Sequence, residues 1–298
     1  MDALHRQTAE IAEIVIVDSD SRDATRALAQ HDPLCRVLPI RQEDFDHGGT
    51  RDMAARACQG ELLWFLTQDA IPTDEHCLSR LIDAVAPEDV ACAYARQLAG
   101  DEDDCIERLN RERNYPPESF STSAADIERL QVRAFFLSDT CCLYKRDVYL
   151  RCGGFVHPIP TNEDMLMAAT FLRAGYRTAY CAEACVLHSH RTRMRALYRR
   201  NFDIGAFMKM FGERLGGVRA EGAGLKYAVS IFGRLLKEGH PLSALRFGVI
   251  CVVRLLGYRE GQRYERLSEK RLLKRTQNPA FWRGYLRAQA SDGQAEEK

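Results

Sequence analysis

Two short apolar runs that each end in carboxylates constrain this chain more than any other feature. Ile14-Val-Ile-Val17 runs into Asp18-Ser-Asp20, and Leu62-Leu-Trp-Phe-Leu66 runs into Thr67-Gln-Asp69. Such runs, bounded by turn formers, read as buried strands. Between and after them the pattern turns helical: around Asp23–Gln30, over residues 50–58, and over Asp74–Val85. Further strands are expected at Arg36–Ile40, Val90–Tyr94, Phe135–Tyr144 and Thr178–Cys181. Alternation of strand and helix argues for an α/β fold, here a mostly parallel sheet with helices on both faces. Gly48-Gly49 reads as a loop, Gly60 as a helix C-cap, and Asn162 as the N-cap of a helix running to Gly175.

In such sheets ligands bind beyond the carboxyl ends of the strands. Asp18, Asp20 and Asp69 stand at those ends, where a carboxylate accepts hydrogen bonds from a base or ribose, or holds a divalent metal. Mg2+ and Mn2+ prefer oxygen ligands and share them with substrate phosphates. Turn chemistry is the plain alternative for the Asp and Ser residues. Glu163-Asp164 open a helix; acids there stabilise the N-terminus, and they also offer a general base for a hydroxyl nucleophile. His188 and His190 follow a strand and would complete a metal site beside those carboxylates. Gly48-Gly49-Thr-Arg51 offers mobile backbone and a guanidinium suited to a diphosphate. The chain has no Walker P-loop, no G-x-G-x-x-G and no G-x-S-x-G, which weakens ATPase, dinucleotide and serine-hydrolase readings.

Charge is divided along the chain. Residues 1–190 carry 19 Lys and Arg against 32 Asp and Glu, while residues 191–298 carry 23 against 10. The basic portion reads as a solvated helical face or a surface for anionic lipid; no nucleic-acid partner is expected. The longest clean apolar run near the C-terminus, Phe247–Val253, is far shorter than the roughly 20 residues of a membrane span. Leu242–Leu256, with Arg246 and Arg254 among its apolar residues, suits the interface instead. The first residues lack a secretory signal, and the 11 cysteines show no CxxC spacing, so reduced thiols in the cytoplasm are expected.

Taken in order, these pieces resemble a family 2 glycosyltransferase of the GT-A fold, most closely its bacterial rhamnosyltransferase branch. The resemblance rests on Val17-Asp-Ser-Asp-Ser-Arg-Asp23, His47-Gly-Gly-Thr-Arg51, Leu66-Thr-Gln-Asp-Ala-Ile-Pro72, Asn114-Tyr-Pro116, Gly153-Gly-Phe155, Asn162-Glu-Asp-Met165, His188-Ser-His190 and Phe202-Asp-Ile-Gly205. It extends to Leu256-Gly-Tyr-Arg259 and Arg263-Tyr-Glu-Arg266. It implies a nucleotide-sugar donor, a divalent metal (Mg2+ or Mn2+) and inverting transfer to a glycan or lipid-linked acceptor of the cell envelope, with L-rhamnose from dTDP-rhamnose as the expected donor. Asp164, with Glu163 beside it, would be the base. Asp18, Asp20, Arg51, Gln68 and Asp69 would contact the donor. Asp69, His188 and His190 would hold the metal, with Gln68 and Thr67 in place of the partner acid of an Asp-x-Asp motif.

The resemblance also implies a catalytic domain over residues 1–205 and a basic helical region over 206–298, on the inner face of the cell membrane. Two departures stand out. The family's first strand has no counterpart, since Met1–Ala12 looks like the end of the helix that follows it. Asp52 and Asp139 stand where Asn is common, and extra negative charge beside a diphosphate would weaken donor binding unless a metal or an arginine compensates. The alternative expectation is therefore an N-terminally truncated, impaired relative acting as a binding or membrane-docking module. A metal-using nucleotidyltransferase is a third.

Overall fold

The computed structural model describes residues 1–189, 193–217 and 223–296. Its strands are β1 (Ile14–Asp18), β2 (Cys35–Pro39), β3 (Leu62–Leu66), β4 (Ala70–Pro72), β5 (Val90–Leu98), β6 (Phe120–Thr122), β7 (Cys141–Lys145) and β8 (Arg177–His188). Its α-helices up to β8 are α1 (Asp2–His5), α2 (Thr25–Gln30), α3 (His47–Ala57), α4 (Cys77–Val85), α5 (Cys105–Asn114), α6 (Ile127–Leu130), α7 (Arg146–Arg151) and α8 (Glu163–Arg173). After β8 come α9 (Met194–Phe211), α10 (Ala223–Lys237), α11 (Pro241–Gly261), α12 (Glu269–Arg275) and α13 (Pro279–Glu296).

The main sheet runs β3-β7-β5-β8-β4, with β6 also pairing with β8. Side chains alternate across it, as the two-residue repeat of a strand requires. Cys142 and Tyr144 of β7 face a core with Leu166, Phe171 and Leu172 of α8. Cys141 and Leu143 face the opposite core with Leu78, Leu81 and Val85 of α4. The result is a three-layer α/β unit. The expectation of a mostly parallel sheet is corrected here: β5–β8 is parallel, but β3–β7, β5–β7, β4–β8 and β6–β8 are antiparallel. Parallel neighbours need a helical crossover that returns the chain to the starting end. The excursion from β5 to β7 brings the chain back in at the end where β5 left the sheet, so β7 runs reversed beside β5.

β1 and β2 form a separate parallel pair. Among the described residues no ladder joins them to the main sheet, and neither β1 nor β3 has a strand on its second edge.

Several local expectations change. Gly48 and Gly49 lie inside α3, because the Asp46 side chain caps it by accepting from Gly49 N at 2.7 Å. The helix ends at Cys58, not at Gly60. Asn162 does precede α8, but it has φ 61 and makes no side-chain cap. Residues 131–135 form a 3-10 turn, so the expected Phe135–Tyr144 strand shortens to β7. β8 continues well past Cys181. The 205/206 division falls inside α9.

Beyond β8 the chain is helical. α11 crosses α9 closely through glycines on both: a Cβ on Gly257 would lie 2.4 Å from Tyr198 O, and one on Gly261 would lie 2.0 Å from Phe202 O. Asp203 explains the Phe202-Asp-Ile-Gly205 motif. Its buried carboxylate accepts from Thr276 Oγ1 at 2.6 Å, Gln277 N at 2.8 Å and Trp282 Nε1 at 3.3 Å, fastening the later helices to α9. Contrary to the run-length reading, α11 is long and apolar enough to cross a membrane by length and composition. The helix spreads its apolar residues around Arg246 and Arg254, which a search for clean runs passes over.

Candidate active site

Three ladder positions converge at one end of the main sheet. Ala70 lies opposite His188 in the β4–β8 pair, so Asp69 comes up beside that ring. His188 Nε2 is 3.5 Å from Asp69 Oδ1. Across the β5–β8 ladder, Gln97 pairs with Val186, and its Oε1 is 2.8 Å from His188 Nδ1. An irregularity in that ladder, where Ala95 pairs with Cys181 but Arg96 with Cys185, sets this alignment. Arg111 of α5 donates to the same Gln97 oxygen. A guanidinium has no acceptor, so the Gln97 atom facing it is the carbonyl oxygen. His188 therefore carries a proton on Nδ1, and its Nε2 is turned toward Asp69. Gln97 Nε2 donates to Ser138 Oγ at 2.8 Å.

Ser138 leads into a cluster of carboxylates. Thr67 N donates to Thr140 O at 3.0 Å, which sets the loop carrying Asp69 beside the loop carrying Asp139. Asp139 is buried, accepts from Tyr144 Oη at 2.5 Å, and lies 4.0 Å from Arg51 Nη1. Arg51 of α3 is ion-paired with Glu163, the first residue of α8. Asp164 follows and accepts from Met165 N at 2.8 Å. Tyr115, of the Asn114-Tyr-Pro116 motif, is buried beside these groups, and Arg111 and Asp164 act on it electrostatically.

Burial sets the protonation of this cluster. It raises Asp139 to about 6, against the pull of the Arg51 guanidinium. It raises Asp164 well above the usual carboxylate range, and the charges of Asp139 and Glu163 add to the rise. For Arg51 burial works against the charge, yet the three carboxylates hold it above its ordinary value. His47 is pushed down by burial, and Tyr115 is pushed up to about 12. A carboxyl raised toward neutrality and set beside a fixed cation suits proton transfer.

Of the residues singled out from sequence, Arg51, Glu163 and Asp164 come together, and Asp69 meets His188. Gln68 is exposed in the turn beside Asp69. Asp18 stands on β1 in the other sheet, buried and bound by Ser21 N at 3.1 Å and by Arg26. Ser21 and Arg26 hold its carboxyl below the usual range. Asp20 is exposed in the following turn at φ 65. His190 lies outside the described residues. Asp52 is compensated by an arginine, accepting from Arg56 Nε at 2.6 Å, and it also accepts from Tyr149 Oη at 2.8 Å. Gln97, Arg111 and Tyr144 were not singled out. Arg96-Gln97, a polar pair ending the otherwise apolar strand β5, was the signal available for Gln97.

Among the described residues no three His, Cys, Asp or Glu side chains converge on one point. The Asp69–His188 pair offers one oxygen and one nitrogen. That is the protein's share of a site for a divalent ion that keeps water and shares its remaining positions with phosphate.

Residues 1–153 match the family model "Glycosyl transferase family 2". The chain belongs to glycosyltransferase family 2 and is a glycosyltransferase. It is 34% identical over 271 residues to the O-antigen chain rhamnosyltransferase RfbN of Salmonella typhimurium, covering 90% of this chain and 85% of that protein. It is equally 34% identical over 269 residues to the O-antigen chain rhamnosyltransferase WbaN of Salmonella anatum, covering 89% and 84%. The fold is similar to mannosyltransferase PcManGT from Pyrobaculum calidifontis, solved with GDP-Man and Mn2+ (TM-score 0.62, 15% identity, 89% of this chain and 82% of that one). It is also similar to S. aureus TarS residues 1–349, solved with UDP-GlcNAc (TM-score 0.52, 14% identity, 89% and 86%). The fold is thus GT-A-type.

Proposed function

We propose that the chain moves L-rhamnose from dTDP-rhamnose, with inversion, to a glycan or lipid-linked acceptor in cell-envelope polysaccharide synthesis, working at the cytoplasmic face of the membrane. The chemistry rests on one observation: Asp164, a half-buried carboxyl raised by desolvation and by Asp139 and Glu163, stands in the Arg51 cluster, and Asp139 of that cluster follows Ser138, which binds the Gln97 that holds His188 beside Asp69. The sugar assignment rests on the relatives' identity over nine-tenths of the chain.

In this reading Asp164 accepts the proton of the acceptor hydroxyl as its oxygen attacks the anomeric carbon. Glu163 is the acid that fixes Arg51, and Arg51 in turn keeps Asp139 and Asp164 from sharing uncompensated charge. The outer side of Arg51, with Gln68 and Asp69, faces the donor, and Asp18 and Asp20 receive its nucleotide. Asp69 and His188 would hold Mg2+ or Mn2+, which neutralises charge on a departing diphosphate. Gln97 fixes the His188 tautomer for that role.

A second reading, a non-catalytic binding module, is favoured by the split between β1 and β3. Calorimetric titration with dTDP and UDP, with and without Mn2+, separates the two. The transferase reading expects Mn2+-dependent binding with dTDP preferred, and slow release of rhamnose from dTDP-rhamnose. Folded protein that binds neither nucleotide contradicts it.

A further inference from the structure

The outer side of the α10–α11 hairpin is occupied by apolar side chains that no protein segment covers among the described residues. On α10 these are Leu225, Val229, Phe232 and Leu236, spaced by four, three and four residues along one helical face. On α11 the corresponding face carries Leu242, Leu245, Val249, Val252 and Leu256. Leu225 is 71% exposed and Leu242 82%.

The two helices share one buried cluster on their inner sides, with Ile231 and Leu235 of α10 against Ala244, Phe247 and Ile250 of α11. Their outward stripes therefore lie side by side. A stripe of this extent on a soluble surface marks a site of contact. α11 does not stand apart from the protein as a spanning helix would, because its glycines lock it against the α9 backbone.

We infer that this hairpin is a membrane-docking face that lies in the plane of an anionic bilayer, its two apolar stripes set among the acyl chains. Charge selects that occupant. Residues 223–261 hold six Lys and Arg against two Glu. Glu238 is bound by Arg234 and Arg108, and Glu260 by Arg275, so neither acid faces the surface unneutralised. Lys226 and Lys237 flank the α10 stripe and Arg259 that of α11, all three exposed, while Arg246 is paired with Asp104 of the α5 N-terminus and neutralises it. At the three exposed positions long basic side chains reach lipid phosphates while their stems lie on the apolar boundary. On its other side α9 carries Arg200, which acts electrostatically on Tyr115 and His47 of the candidate site. One helix layer thus separates the docking face from the chemistry. The placement suits a lipid-carried acceptor but does not depend on the donor.

Co-sedimentation with vesicles tests this without donor or acceptor. Full-length protein is expected to bind vesicles of phosphatidylethanolamine and phosphatidylglycerol in equal parts, with weaker binding to pure phosphatidylcholine and release by salt. Combining Leu242→Glu, Leu245→Glu and Val249→Glu, all at exposed positions, is expected to lower binding at least about tenfold, while calorimetric dTDP binding is unchanged. Combining Lys226→Glu, Lys237→Glu and Arg259→Glu is expected to remove the preference for anionic lipid. Wild-type protein that stays in the supernatant with anionic vesicles overturns the inference. So does a lipid-free dimer, seen by sedimentation velocity, that the first variant dissociates, because the stripe would then be covered by a second copy.

Discussion

Replacing Arg51 with Met removes the cation that holds the carboxylate cluster together, and the structure says how much that costs. The Arg51 side chain is 24% exposed, while those of Glu163 and Asp139 are 5% and 1% exposed. At 4.0 Å, the Arg51–Asp139 separation, two unit charges attract by about 4 kcal/mol in a medium of intermediate dielectric. Removing one partner of a buried pair typically costs ~3–5 kcal/mol, since the other charge is left behind. Asp139 and Asp164 already titrate above their unfolded range of about 3.8, so the native state binds more protons than the unfolded state as pH rises from there. Stability therefore falls with rising pH through that window. Without Arg51 the native carboxyls hold protons to still higher pH, and each extra bound proton deepens the deficit by about 1.4 kcal/mol per pH unit. Urea unfolding of wild type and Arg51→Met at pH 5.5 and pH 8 reads this directly. The expected deficit is ~3–5 kcal/mol at pH 8 and smaller at pH 5.5. Adding Glu163→Gln to Arg51→Met is expected to restore part of it. A deficit under about 1 kcal/mol at pH 8, or one that does not change with pH, would refute the reasoning.

Two further outcomes follow from the site and the helical region. Gln97→Leu leaves His188 without its Nδ1 partner, so Mn2+-dependent dTDP affinity is expected to fall about 10–100-fold with metal-free binding unchanged; calorimetry checks it. Gly261→Ala places a Cβ 2.0 Å from the Phe202 carbonyl oxygen, so thermal and urea unfolding are expected to show a loss of roughly 1–3 kcal/mol or more.

The sequence made the strands legible where physics acts locally. Leu62–Leu66 is found as expected, and β1 and β2 begin and end within a residue of expectation. Strand direction was not legible, because it depends on long excursions such as the one from β5 to β7 that carry no local signal. Gly48-Gly49 misled for a related reason: the Asp46 cap overrides the helix-weakening effect of glycine, and two carboxylate oxygens bonded to Gly49 N and Ile159 N are a tertiary fact. Arg51, Glu163 and Asp164 were legible as chemistry but not as one cluster, since 112 residues separate Arg51 from Glu163. Gln97 and Arg111 were hidden because their roles are defined only by what His188 needs.

The claim that Asp164 is the base of a transferase is tested most directly by Asp164→Asn, a change that keeps shape and removes basicity. Transfer from dTDP-rhamnose and dTDP binding are measured on the same preparation. The account expects transfer to fall by about 100-fold or more, with dTDP affinity held within about threefold of wild type. A variant that binds dTDP and turns over at the wild-type rate would contradict it.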